Sequence, residues 1–385
     1  LVRYMNKFGG GYPVYKNTDG EYFPLGENKF ERMCEDLEKA EKFIFMEYFI
    51  VDFGIMLARV LEILAEKVKE GVEVRFMYDG MCTLSTVPPG FPKYLRSMGI
   101  KCQVYAPIRP ALSTSQNHRD HRKILVIDGK IAYTGGINLA DEYINEKVRF
   151  GHWKDTAVKV TGDAVTSFTM MFLQMWNVTE KDEIAENEEE YTKYICRDIS
   201  PKCDGFVIGY GDSPYDMENV GEVVYHQIIN SAVRYVHIMT PYLILDNETM
   251  KVLEYAAKRG IDVKIIGPHI TDKPTAYMIA RTYYEKLLRM GVKIYEYTPG
   301  FVHAKIYSSD DDKAVVGTIN MDFRSLYLNF ECAALFYKHK VVQAVEKDFQ
   351  DTLIKCHEIT MEDCRKYSKI KLIIGKILWI FAPLM

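Results

Sequence analysis

Apolar and polar positions along the chain outline a unit that occurs twice. FIFMEYF (43–49) is a short apolar run with aromatic and β-branched character, which predicts a buried strand. GIMLARVLEILAEKVKEG (54–71) spaces its apolar residues as one face of a helix does. VEVRFMYDG (72–80) then alternates like a strand. The order returns as a strand and turn in VHIMTPYLI (236–244), a helix in NETMKVLEYAAKRG (247–260) and a strand in IDVKIIGP (261–268). YLRSMGIKCQVYAP (94–107) also matches KLLRMGVKIYEYTP (286–299) almost position by position. Two strand–helix–strand copies predict two similar α/β domains. The first is expected over residues 1–195, closed by the helix DAVTSFTMMFLQMWN (163–177). The acidic stretch EKDEIAENEEEY (180–191) reads as a solvated linker. The second is expected over 196–365, closed by a helix in 339–356, and an apolar segment fills 366–385.

Each copy carries the same set of polar residues. In NHRDHRKILVIDGKIAYTGGIN (117–138), His121 is followed by Lys123, Asp128, Gly135 and Asn138. In VHAKIYSSDDDKAVVGTIN (302–320), His303 is followed at identical spacing by Lys305, Asp310, Gly317 and Asn320. Residues i and i+2 of a strand share a face, so each His and its Lys project towards one ligand. ILVIDGKIAYT reads as a hairpin turning at Asp128–Gly129, which marks Asp128 as a turn residue. The repetition nevertheless keeps Asp128 and Asp310 with His121, Lys123, His303 and Lys305 as candidate catalytic residues. His118 lacks a Lys two places on and is a neighbour only. Two His, two Lys and two Asn form a poor metal site, so no metal or cofactor is expected. They form a good phosphate cage: the lysines neutralise charge and the amides of Asn138 and Asn320 bind phosphate oxygens. One imidazole attacks phosphorus while the other protonates the leaving alkoxide.

Composition narrows the picture. The 385 residues are 48% apolar and 26% charged, which fits a folded α/β protein with room for two cores. A net charge of −4 counts mildly against nucleic acid as the partner. None of the eight cysteines has C-x-x-C spacing, so neither zinc nor a redox pair is suggested, and reduced thiols fit a reducing compartment. No apolar run reaches the roughly 18 residues of a membrane span. The chain begins with Leu1 and reads as a fragment or processed product, with an expected N-terminal anchor outside it.

The duplicated His-x-Lys-x4-Asp motif resembles that of the phospholipase D superfamily. The flanks NHRDHRKILVIDGKIAYTGGINLADEY, GHWKDTAVKVTG, TPYLI and VGTINMDFRSLYLNFE are similar to those of bacterial cardiolipin synthases. The likeness runs from about residue 12 to the C-terminus. It implies two similar phospholipase D-type α/β sandwich domains, related by a pseudo-twofold axis and sharing one cleft. It also implies a metal-free ping-pong reaction of two phosphatidylglycerol molecules that yields cardiolipin and glycerol through a phosphohistidine. By the same analogy His121 is the nucleophile and His303 the general acid and then base, although the near-symmetric motifs allow the exchange. Asp155 in HWKDT and Glu331 in LNFE would orient the histidines. Association with anionic membrane lipid at the bacterial cell membrane, with the domains facing the cytoplasm and no nucleic acid bound, follows from the resemblance. A phospholipase D using water, a phosphatidylserine synthase using serine, and a phosphodiesterase nuclease remain as alternatives. IKLIIGKILWIFAPLM (370–385) reads either as a bilayer-interface helix, with Trp379 and the lysines at headgroup depth, or as a terminal helix packed on the core. Segments 81–92 and 109–119 read as lipid-access loops or plain surface loops. The sequence leaves the oligomeric state open.

Overall fold

The computed structural model describes residues 1–108, 117–179, 188–196, 198 and 201–381. The first half contributes strands β1 (Thr18–Phe23), β2 (Phe43–Tyr48), β3 (Glu73–Asp79), β4 (Lys101–Tyr105), β5 (Arg119–Asp120), β6 (Ile124–Ile127), β7 (Ile131–Gly135), β8 (His152–Lys154) and β9 (Ala157–Gly162). The second contributes β10 (Phe206–Asp212), β11 (Tyr235–Met239), β12 (Asp262–Pro268), β13 (Lys293–Tyr297), β14 (Gly300–Val302), β15 (Ile306–Ser309), β16 (Lys313–Gly317), β17 (Asn329–Tyr337) and β18 (Cys356–Glu358). One sheet runs β1-β9-β7-β6-β2-β3-β4, and the other β10-β17-β16-β15-β11-β12-β13-β18. Strand for strand the second repeats the first and adds β18 at its edge. In each, three parallel strands joined by helices meet an antiparallel hairpin, β6–β7 or β15–β16.

The predicted repeat elements form with frayed ends. Helix Ile55–Lys69 buries Met56, Leu57, Val60, Leu61 and Leu64 at helical spacing, and its counterpart Asn247–Lys258 buries Met250, Leu253 and Ala256. Just beyond the two helices, Gly71 and Gly260 hold φ of 91° and 87°, where a side chain would be strained.

Each sheet has its own outer core, and a third core lies between the two sheets. That shared core joins Phe43, Phe45 and Val126 of the first sheet to Ile306, Val316 and Phe336 of the second. Helices Val165–Thr179, through Phe168 and Phe172, and Lys340–Leu353, through Val345 and Phe349, complete it. The start of the expected first domain reaches across to the second half. Met5 packs in the outer core of the second half, and Tyr15 bridges to Val207 of β10, so the leading residues pack on the second half. Residues 180–187 of the expected linker and 109–116 of one expected access loop lie outside the described residues. Near the C-terminus, helix Lys369–Trp379 lies on helix Pro274–Met290. Among the described residues no helix is long and apolar enough to cross a membrane.

Candidate active site between the two halves

The site is built by strands that cross from one half to the other. The short β5, immediately before His121, pairs in parallel with the start of β17, and the His121 N–H donates to the Phe330 carbonyl at 2.9 Å. Symmetrically β14, just before His303, pairs in parallel with β8, and the His303 N–H donates to the Lys154 carbonyl at 2.7 Å. Each histidine is thereby carried to the strand that bears the other half's carboxylate. Nδ1 of His121 lies 2.9 Å from both oxygens of Glu331, and Nδ1 of His303 lies 2.6 Å from Oδ2 of Asp155. Both carboxylates are fully buried. The contact holds one proton between Nδ1 and the carboxylate and turns Nε2 towards chemistry. Asp79 anchors β5 from below, accepting from Arg119 Nη2 at 2.6 Å and from the Asp120 N–H at 3.0 Å.

The surroundings favour neutral imidazoles. His121 is driven well below the usual histidine range by burial and then by Lys123, Lys305, Lys273 and Arg324. His303 falls to about 4 through burial and Lys305, with Asp155 opposing. Burial lowers Lys123 to about 8 and Lys305 to about 7, and raises Glu331 to about 8 against the pull of Lys123. Each lysine ammonium donates to the backbone carbonyl of its own histidine, His121 or His303. The lysines are buried and do not line the cavity that the imidazoles face, but their field reaches both rings.

His121, His303, Asn138 and Asn320 line one cavity of about 620 Å³, a size suited to a lipid headgroup. Asn138 accepts from the Ile50 N–H at 2.9 Å and donates to the Tyr143 hydroxyl at 2.8 Å. Asn320 donates to the Ser325 hydroxyl at 3.0 Å, which is again five residues on. Aromatic rings shield both imidazoles: Phe49 stands 4.9 Å from His121, and Tyr143 and Trp153 stand 5.4 and 5.6 Å from His303. Lys273, Arg324, Glu142, Asp272 and Asp322 also line the cavity, and the motif reading named none of them. Only the five-residue step from Asn138 to Tyr143 and from Asn320 to Ser325 left a trace in the sequence, hidden by the change of residue type.

The two motif aspartates take turn positions, as the Asp128–Gly129 pair suggested for the first of them. Asp128 (φ 54°) and Asp310 (φ 55°) sit at the hairpin turns and do not line the cavity. Asp128 accepts from the N–H groups of Glu41, Lys42 and Phe43 at 2.9, 2.7 and 2.9 Å. Asp310 accepts from Val233, Arg234 and Tyr235 at 2.8, 2.8 and 3.1 Å. Each ties its hairpin to the start of the neighbouring parallel strand, β2 or β11. Among the described residues, one cluster elsewhere has metal-ligand types, Asp19, Cys203 and His339. There His339 already uses both ring nitrogens, on the Thr18 carbonyl and the Val341 N–H.

A family model described as "Cardiolipin synthase, PLD-like domain" matches residues 33–176 and 225–353, one segment for each sheet. The chain belongs to this family. A cardiolipin synthase of Geobacillus sp. (strain WCH70) is 35% identical over 98% of the chain and 74% of its own length. One from Alkalihalophilus pseudofirmus is 35% identical over 91% of the chain and 68% of its own length. An uncharacterized protein of Streptococcus mutans serotype c is 53% identical over the whole chain and 82% of its own length. Among solved structures, the phosphatidylserine synthase of Haemophilus influenzae Rd KW20 superposes with a TM-score of 0.72 at 12% identity, over 95% of both chains. That likeness shows a shared fold of two α/β halves, which the family match makes PLD-like.

Proposed function

We propose that this member of the family makes cardiolipin from two molecules of phosphatidylglycerol. Membership makes the chain a phospholipid phosphatidyltransferase of the phospholipase D type. The crossed pairs His121–Glu331 and His303–Asp155, opening on one cavity, carry the proposal. Nε2 of His121 attacks phosphorus, the bond to the glycerol oxygen breaks, and His303 gives that oxygen a proton. The phosphatidyl group then rests on His121 as a phosphoramidate. A hydroxyl of the second phosphatidylglycerol attacks it, His303 takes the hydroxyl proton, and the P–N bond breaks to release cardiolipin. The four cations that depress His121 favour the unprotonated nucleophile there. Asp155, which opposes the depression at His303, favours the proton carrier there. A phosphate bound beside His303 favours its protonated form and so its acid role. The rings of Phe49, Tyr143 and Trp153 limit water at the imidazoles, which supports a lipid alcohol as acceptor over hydrolysis. This polar cage, with anionic phospholipid as its partner at the membrane, needs no nucleic acid.

Incubation with phosphatidylglycerol vesicles, followed by mass analysis of lipids and glycerol, tests the reading. Cardiolipin and glycerol in equal amounts are expected, and both are lost in His121→Ala and in His303→Ala. Phosphatidic acid in place of cardiolipin would instead assign a hydrolase.

A further inference from the structure

Helix Lys369–Trp379, with the turn after it, is apolar on two opposite sides. At about 100° per residue, Leu372, Gly375 and Leu378 share the stripe that packs on the second half. Gly375 fits so closely that a Cβ there would lie 2.4 Å from the Met278 carbonyl oxygen. Leu378 packs with Ile244, Ala276 and Ile279. The opposite arc presents Ile370, Ile373, Ile374, Ile377, Ile380 and Phe381, each between 40% and 71% exposed. A helix that merely caps a core turns polar residues outward, and a contiguous exposed apolar face of this kind marks an interaction site. Lys369 and Lys376 border the apolar arc on one side and Lys371 on the other, and the helix holds no acidic residue.

Building on the phospholipid reading above, we propose that this face docks into the interfacial layer of an anionic bilayer. The isoleucines enter at the acyl boundary and the lysines reach back to lipid phosphates. Charge decides against a second copy of the chain as the occupant. Self-pairing through this face would bring two lysine-bordered surfaces together, whereas anionic lipid supplies the opposite charge. The position suits the chemistry. Leu378 packs in the cluster formed by Ile244 and Ala276, with Tyr242 against it, and these three residues also line the catalytic cavity. Docking therefore holds a wall of that cavity against the substrate surface.

Flotation of the 385-residue chain with vesicles of dioleoyl phosphatidylglycerol or of dioleoyl phosphatidylcholine tests the proposal. The chain is expected to float with the anionic vesicles. The triple variant Ile373→Ser, Ile377→Ser, Ile380→Ser should bind them about tenfold or more weakly. Its turnover of dihexanoyl phosphatidylglycerol dissolved as monomers should match the parent's, which also shows that the variant is folded. A second variant, Lys369→Gln, Lys371→Gln, Lys376→Gln, keeps the apolar arc and should lose the preference for anionic vesicles. Equal flotation of parent and triple variant overturns docking, and so does a parent dimer that the triple variant splits without change in flotation. Helix-dependent flotation without turnover of either lipid form would keep docking and defeat the catalytic reading.

Discussion

At the level of single residues, Lys123 and Lys305 set a pH dependence for anion binding. Buried beside two imidazoles, they hold their protons only to about pH 8 and pH 7. A depressed lysine pKa means that the charged form is present below it and is lost as pH rises through it. An anion held in the field of both ammoniums therefore binds readily near pH 6, and near pH 9 its binding must draw protons onto the lysines. Sulfate keeps its charge over this range and suits the measurement. Its affinity, followed by calorimetry, is expected to fall as pH rises through 7 and 8, by up to about tenfold per pH unit for each proton taken up. Buffers of different ionisation enthalpy should report that uptake. A pH-independent affinity would contradict the electrostatics of the cage. The motif aspartates behave differently, because three backbone N–H groups each hold Asp128 and Asp310 at the turns. The Asp–Gly pair made the turn legible at 128. At 310 the second turn residue is Asp311 with φ 59°, a conformation the residue type does not announce.

The elements that build the site are its shortest. Strands β2, β3, β11 and β12 and their helices were legible because their apolar pattern runs for several residues and recurs. β5 and β14 span two and three residues, and their pairing depends on partners far along the chain, so no local pattern reveals them. Asp155 and Glu331 came from the resemblance alone, and the crossing strands supply the physical reason for their place. Lys273 and Arg324 stand outside both repeated motifs, and periodicity had no means of finding them. The segment from each hairpin to its asparagine is also less symmetric than the repeat suggests. In the second half Thr318 donates its hydroxyl to Glu331. In the first half Gly136 leaves room for Asp155, and a Cβ there would lie 2.0 Å from Oδ1. Gly136 does not have a positive φ, so alanine acts there through this contact alone. Gly136→Ala is expected to push Asp155 off His303 and lower kcat by about 10–10²-fold. KM should change little, whereas the melting temperature should fall, because the displaced carboxylate is buried. Wild-type kcat in this variant would remove Asp155 from the positioning of His303.

At the scale of the molecule, the two halves are alike in topology and yet are not independent units. Each imidazole takes its carboxylate from the other half, and the leading residues of the chain pack on the far half. The core between the sheets draws on both of them and on both closing helices. Domains that share only a polar interface unfold separately, whereas a continuous apolar core couples them. Calorimetry should therefore show one unfolding transition, not one for each half. Phe172 provides the sharper test, because it sits in the shared core with its ring stacked 4.7 Å from Phe45. Phe172→Ala should cost about 3–5 kcal/mol and lower the single transition as a whole. A split into two transitions, with the second half melting at its original temperature, would mean that the interface joins two self-sufficient domains.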